Sequence, residues 1–170
     1  PDITSNLILH NTFDADATDS SGNNYDGTLT NGAFIDPTNA TDRIGVAKLS
    51  LDGSNDFVDL SSNVANFSGL TEGTISGCIK TTGSNRTILS ISDTADANSY
   101  AELFIGSSGY LTFEVYENGT AQLATYSGGR APINDGAWHH VAVAVNSSGN
   151  KLASSTELVG EIVLWEAGEF

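Results

Sequence analysis

Apolar and polar residues alternate in short runs along most of this chain, and that pattern predicts β-strands with one buried face. The clearest case is residues 46–60, VAKLSLDGSNDFVDL, where two alternating runs flank the turn Asp52–Asp56. Gly53 can adopt a positive φ in this turn, and Asp or Asn side chains can bond to their own backbone. We expect a hairpin that presents Asp52 and Asp56 at one edge of a sheet.

Further runs of the same kind follow at short spacing, separated by turns rich in Gly, Asn, Ser and Asp. Many short strands at roughly 8–12-residue spacing are typical of an all-β sandwich or barrel. A chain of 170 residues suits a single domain, residues 1–170. We predict one helical turn within 61–69 and strands at 7–13, 27–30, 33–35, 74–80, 87–92, 100–105, 111–116, 122–126 and 138–145, with 27–30 and 33–35 forming a pair.

The run 138–145, WHHVAVAV, predicts a strand that is covered on both faces. Its three valines share one face, whereas Trp138, His140 and the alanines share the other. His139 and His140 are adjacent and therefore point to opposite faces, so they cannot grip one metal ion from a regular strand. We interpret both histidines as structural.

The chain is strongly acidic, with 6 Lys and Arg residues against 21 Asp and Glu residues and a net charge of −15. This charge repels phosphate backbones and anionic lipids, so we expect no nucleic acid partner. No apolar run approaches the roughly 20 residues that span a bilayer, so we expect no membrane insertion. The chain has no Met and begins at Pro1, which we interpret as a module excised from a larger secreted or cell-surface protein.

Motifs for catalysis are missing from the sequence. A pair of glycosidase carboxylates on one strand, a Gly-x-Ser-x-Gly elbow and a phosphate-binding Gly-x-Gly-x-x-Gly do not occur, so we expect no enzymatic activity. Sugar binding instead needs exposed aromatic side chains beside a few polar groups. The candidates for ligand binding are Tyr100, Tyr116, Tyr126, Trp165 and Arg130, with Asn98, Glu102 and Glu114 nearby in sequence.

Four segments resemble the laminin G-like domains of the concanavalin A-like lectin and glucanase superfamily. They are residues 7–13 with the loop DSSGNN at 19–24 and Gly27-Thr28-Leu29; residues 47–60; residues 75–80; and residues 136–143. The resemblance implies an antiparallel jelly-roll β-sandwich, a structural calcium ion near its rim, and binding of glycans or protein partners outside the cell.

The resemblance also implies where calcium would bind. It places the loop 19–26 and the turn 52–56 near the rim, and it gives Asp19, Asn24, Asp26, Asp52 and Asp56 as the ligands. Carboxylate and carbonyl oxygens are the ligands that calcium prefers. The alternative is that these are turn residues that cap their own backbone.

The resemblance stops near the C-terminus, where 153–156 leads almost directly into 158–165. We interpret 158–165 as a shortened closing strand, with one or two strands missing and an exposed edge that a second copy could cover. The sequence therefore predicts a non-catalytic extracellular module that binds carbohydrate or a glycoprotein surface, with a structural calcium ion. The alternatives are an assembly domain of a surface or fibre protein that associates through its sheet edge, and a polysaccharide hydrolase or lyase.

Overall fold

The computed structural model describes residues 6–38, 45–67, 70, 72–128 and 130–145. These residues form two compact units, one ending at residue 67 and one beginning at residue 70. Every strand pair is antiparallel, and the only helical segment named among the described elements is a short 3₁₀ helix, which confirms the all-β antiparallel fold. The strands are β1 (Thr28–Thr30), β2 (Phe34–Asp36), β3 (Lys48–Ser50), β4 (Phe57–Asp59), β5 (Gly73–Lys80), β6 (Arg86–Ser92), β7 (Tyr100–Ile105), β8 (Leu111–Glu117), β9 (Thr120–Tyr126) and β10 (Trp138–Val145), with the 3₁₀ helix at Ser61–Asn66.

In the first unit four of the predicted strands are present, as β1 to β4, but their predicted pairing is wrong. β1 pairs with β4, and β2 pairs with β3, so neither 46–60 nor 27–35 is a simple hairpin. Side chains form the predicted turn itself. Asp52 Oδ1 accepts bonds from the backbone N–H groups of Ser54 and Asn55, and Asp56 Oδ2 accepts one from Asp52 N at 3.0 Å. The strands on either side of the turn pair with β2 and β1, because alternation along a strand does not determine which strand lies beside it.

The predicted first strand at 7–13 is also wrong, since only an isolated bridge joins Asn11 to Asp19. The carbonyls of Leu7 and Ile8 accept hydrogen bonds from the Asn23 side chain, each at 3.0 Å, rather than from a neighbouring strand. Phe13 has a φ of 54°, in the left-handed region that interrupts extended backbone. At Leu7 and Ile8, hydrogen bonds from a side chain of the following loop replace the backbone hydrogen bonds that a neighbouring strand would make.

Aspartate side chains shape many turns of this protein. In the described part of the chain, eight of them accept a hydrogen bond from the backbone N–H two residues further on. This geometry is the Asx turn, which lets a side chain stand in for a backbone acceptor. The eight are Asp16, Asp19, Asp36, Asp52, Asp59, Asp93, Asp96 and Asp135.

The second unit contains a four-stranded sheet in the order β6-β7-β8-β9 and a pair formed by β5 and β10. The predicted bounds of β7 and β10 agree with the structure, and those of β5, β6, β8 and β9 differ by at most two residues. Regular alternation explains this agreement for β7 and β8, each of which buries alternate side chains on one face. β6 and β9 bury at most one side chain each, and their pairings contain a register shift.

Both sheets of the second unit contribute to its core. One face of the four-stranded sheet buries Leu103, Ile105, Leu111, Phe113 and Leu123, and β10 buries Val141 and Val143 beside Ile79 of β5. Each such side chain contributes roughly 1.5–3 kcal/mol when fully removed from water. On the opposite face of β10, Trp138, His140 and Ala142 are buried as well, which confirms that both faces of this strand are covered.

Two predictions about the chain end and the domain count stay predictions. The shortened closing strand at 158–165, the exposed edge that it would leave and Trp165 all lie outside the described residues. That residues 1–170 form one domain also stays a prediction.

Candidate functional site

The four-stranded sheet carries polar and aromatic side chains on the face opposite its core. In the register of β7 and β8, Tyr100 lies opposite Tyr116 and Glu102 lies opposite Glu114. Strand alternation puts these four side chains on one face, because residues two apart point the same way. We call this surface the tyrosine face; by register it comprises Thr87, Ser90, Ser92, Tyr100, Glu102, Phe104, Thr112, Glu114, Tyr116, Ala121, Ala124 and Tyr126.

One end of the tyrosine face holds a pair of stacked rings. The ring centroids of Tyr100 and Tyr116 are 5.0 Å apart, and their planes differ by 14°. Both side chains are half-buried. Burial raises the pKa of Tyr100, and the negative charge of Glu114, the neighbouring Tyr116 and the charge of Glu102 raise it further. The Tyr100 hydroxyl therefore stays protonated at neutral pH and can donate a hydrogen bond.

Two carboxylates face each other beside the stacked rings. Glu102 and Glu114 are directly opposite in the register, and both are half-buried. Side chains in such pairs have Cβ atoms roughly 4.5–5.5 Å apart, and like charges there destabilise the sheet. Thr87 Oγ1 of β6 donates a hydrogen bond to Glu102 Oε1 at 2.6 Å, which fixes one of the two carboxylates. The sheet thus places two acidic side chains directly opposite each other beside the stacked rings.

Tyr126 lies at the outer strand of the same face, opposite Thr112. Its ring is 60% exposed and contacts the Tyr110 ring with a centroid distance of 6.2 Å. Gly128 leaves the space that this ring occupies. Arg130 is exposed in the segment after β9, and no pairing of the described strands places it on the tyrosine face. Of the predicted ligand-binding residues, the register brings Tyr100 and Tyr116 together and places Tyr126 on the same face, opposite Thr112, four residues away along β8.

Sequence reasoning missed two features of this face. It judged Glu114 only against its neighbours along β8, whereas its partner is Glu102 on the next strand. It also gave no role to Thr87, which holds Glu102. The signal for the carboxylate pair was present in the hairpin around Gly106–Gly109, but the register depends on a loop length that strand alternation alone does not determine.

The residues predicted as calcium ligands lie in two parts of the first unit. Asp19 is 7% exposed, and Asp26 Oδ1 accepts a hydrogen bond from the Asp19 backbone N–H at 2.8 Å. Asn24 is exposed with a φ of 59°. Asp52 is exposed, Asp56 is half-buried, and both accept backbone N–H groups of their own turn. Asp52 and Asp56 thus bond within their own turn, and Asp19 bonds to backbone donors of His10, Ser21 and Tyr25.

The donor set of these carboxylates does not fit a calcium ion that binds at Asp19. Both oxygens of Asp19 already accept hydrogen bonds, from His10, Ser21 and Tyr25. Among the described residues, no group of three or more His, Cys, Asp or Glu side chains is arranged to hold a metal ion. Calcium binding stays a prediction for this chain, and no step in the function below depends on it.

Comparison with known families identifies the fold. A laminin G-type family model, described as the concanavalin A-like lectin/glucanases superfamily, matches residues 52–164. This chain belongs to that superfamily. The matched part of this concanavalin A-like domain includes all strands of the tyrosine face, whereas the loop at Asp19 precedes it. Searches of curated proteins and of solved structures find no match.

In the part of the chain that the structure describes, no helix has the length and apolar character to cross a bilayer.

Proposed function

We propose that this domain is a non-catalytic extracellular recognition module that binds carbohydrate, free or on a glycoprotein, through the tyrosine face. The observation that carries the proposal is the Tyr100–Tyr116 stack with Glu102 and Glu114 beside it on one half-buried sheet face. Aromatic rings offer large rigid apolar area to the C–H face of a sugar. Carboxylates accept hydrogen bonds from sugar hydroxyls and so fix its orientation.

The charge of the domain limits which sugars suit this face. Two facing carboxylates lie at its centre, and the chain carries a net charge of −15. Sulfated, sialylated or uronate-rich glycans would meet like charge on approach and again at the site. Neutral sugars avoid this cost, and amino sugars gain attraction from the carboxylates. We therefore expect a neutral or amino-sugar ligand and weak binding of acidic glycans.

Substitution of the stacked tyrosines tests the site. We expect Tyr100→Ala and Tyr116→Ala each to weaken glycan affinity at least about 10-fold, because losing about 1.4 kcal/mol of stacking and packing corresponds to that factor. An array of neutral, amino-sugar and acidic glycans identifies the ligand, and calorimetric titration gives the affinities. Phe57→Ala is the matched control, since Phe57 is 45% exposed on β4 and lies outside the tyrosine face. A folded wild-type domain that binds none of these glycans would contradict the proposal.

Removing the charge of one of the two facing carboxylates should stabilise the domain but weaken glycan binding. We expect Glu114→Gln to raise the free energy of unfolding by about 0.2–1 kcal/mol, because it removes like-charge repulsion from the Glu102 pair. The same substitution should weaken glycan binding, because a charged hydrogen-bond acceptor is lost. Urea unfolding and titration measure the two effects. Glu117→Gln is the control, since Glu117 is exposed at the end of β8 and lies opposite Thr120. Equal stability changes in both variants would contradict the repulsion argument.

The same carboxylate pair favours one other function, glycoside hydrolysis. Retaining glycosidases hold two carboxyl groups roughly 5–5.5 Å apart, a spacing that directly opposite strand residues can reach. Release of reducing ends from polysaccharides, lost in both Glu102→Gln and Glu114→Gln, would establish this function and replace the binding proposal. Binding without any release of reducing ends supports the recognition module.

A further inference from the structure

We propose that the loop at residues 19–26, the Asp19 loop, folds on the Asp19 carboxylate without a bound cation, in place of the calcium ion that the fold family implies. The inference concerns the described first unit and does not depend on glycan binding by the tyrosine face. Its basis is the set of hydrogen bonds that already occupies the oxygens a cation would need.

The Asp19 carboxylate is saturated. Its Oδ1 accepts bonds from His10 N at 2.9 Å and Ser21 N at 2.8 Å. Its Oδ2 accepts bonds from Ser21 Oγ at 2.7 Å and Tyr25 N at 3.0 Å. An ionised carboxylate offers about four lone-pair sites, and four donors are in place here. A calcium ion at Asp19 would have to displace at least one of them.

Nearby carbonyl oxygens are occupied in the same way. Asn23 Nδ2 donates to Leu7 O and to Ile8 O, each at 3.0 Å, and Ser21 Oγ lies 3.0 Å from Ile8 O. Asn11 Nδ2 donates to Ala17 O at 2.8 Å. Calcium takes about 6–8 oxygen ligands, carbonyls among them. In this loop neutral amide donors of Asn11 and Asn23 point at those oxygens instead.

Electrostatics agrees with this arrangement. A buried carboxylate needs compensation for lost hydration, and three backbone N–H groups with one hydroxyl supply it here. Burial would raise the pKa of Asp19, yet the bonds from His10, Ser21 and Tyr25 lower it to about 2. The carboxylate is therefore charged at physiological pH, and its charge is compensated without a metal ion.

Thermal unfolding of the full chain in about 10 mM calcium chloride and in excess EDTA tests the inference. Calcium sites of extracellular modules have Kd values of about 10⁻⁴–10⁻³ M, so a structural site would raise Tm by about 3–10 °C. We expect a difference of less than about 1 °C. Terbium emission sensitised by tyrosine locates any bound ion, because Tyr25 lies within the Asp19 loop. Its backbone N–H donates to Asp19 Oδ2.

Two variants show whether a detected ion binds in the Asp19 loop or elsewhere on the protein. Tyr25→Phe removes the sensitising phenol from the loop, and Asp26→Asn removes a charge beside Asp19 but keeps an acceptor for the Asp19 N–H. A calcium-dependent rise in Tm together with terbium emission that is lost in Tyr25→Phe and weakened in Asp26→Asn would overturn the inference. A rise in Tm with emission unchanged in both variants places the ion away from the loop, and the inference then stands.

Discussion

Replacing Asp19 with alanine is expected to lower the free energy of unfolding by about 3 kcal/mol. The substitution leaves the backbone N–H groups of His10, Ser21 and Tyr25 without their acceptor, and a buried donor left unsatisfied costs about 1–3 kcal/mol. The expected loss is smaller than three such costs added together, because His10 is exposed and its backbone N–H can bond to water instead. Urea unfolding followed by circular dichroism measures the change.

Asp16→Ala is the matched control for this prediction. Asp16 is exposed three residues earlier and accepts a bond from Thr18 N at 2.8 Å, so its replacement should cost less than about 1 kcal/mol. Asp19→Asn should fall between the two, since the amide keeps one acceptor oxygen. Equal losses in Asp16→Ala and Asp19→Ala would show that the carboxylate network is no more than an ordinary turn.

Mild acid is expected to destabilise the domain through His140. This side chain is buried, and burial followed by the charge of His139 lowers its pKa from 6.5 to about 3. Below pH 6.5 the unfolded chain binds a proton at this position that the folded chain does not. Stability is therefore complete above pH 6.5 and is lost as the pH falls toward 3, by at most about 1.4 kcal/mol per pH unit.

Urea unfolding at several pH values between 7.5 and 4.5 measures this slope. His140→Phe removes the titration and keeps an aromatic ring, so its stability should change less over that range. Other ionisable groups near His140 are Cys78 on the opposite strand, the adjacent His139 and Lys80, whose Nζ lies 5.7 Å from the Trp138 ring centroid. His139 Nε2 lies 2.8 Å from Asp135 Oδ1. The variant His139→Gln therefore measures how much of the loss of stability in acid comes from His139. An unchanged slope in His140→Phe would assign the acid loss to other groups.

A second acid transition should follow at lower pH. Because the pKa of Asp19 is lowered to about 2, the stability that it supplies is present above pH 4 and is lost between about pH 4 and 2. Hydrogen bonds likewise lower the pKa values of other turn aspartates, including Asp59 and Asp96. The two transitions are separable because only the first is altered in His140→Phe.

The second unit was largely predictable from the sequence because its strands are short runs bounded by turns rich in Gly, Asn, Ser and Asp. The run at 138–145 gave both the bounds of β10 and the burial of its two faces. Alternation determines which side chains share a face within one strand, but it leaves open which strand lies beside it. For that reason Tyr100 and Tyr116 were candidates from the sequence, whereas the facing pair of Glu102 and Glu114 required the register.

The first unit was harder to predict because side chains there replace backbone pairing. The apolar run at 7–13 has the composition of a strand, yet the Asn23 side chain from the next loop donates to the carbonyls of Leu7 and Ile8. The turn at 52–56 was recognised, but the strands on its two sides pair with β2 and β1 and not with each other. Asp19 was a candidate calcium ligand from the sequence, and the structure shows its carboxylate bonded to protein donors.

The eight Asx turns have a consequence for surface charge, because the charge at an exposed turn can change while the backbone path of the loop stays the same. An asparagine side chain can accept the same backbone N–H bond through its amide oxygen, without the charge. Exposed positions such as Asp52 and Asp93 could exchange one residue for the other and keep the same chain path. Solubility, salt tolerance and repulsion between neighbouring molecules can thus be adjusted over a wide range while the architecture remains constant.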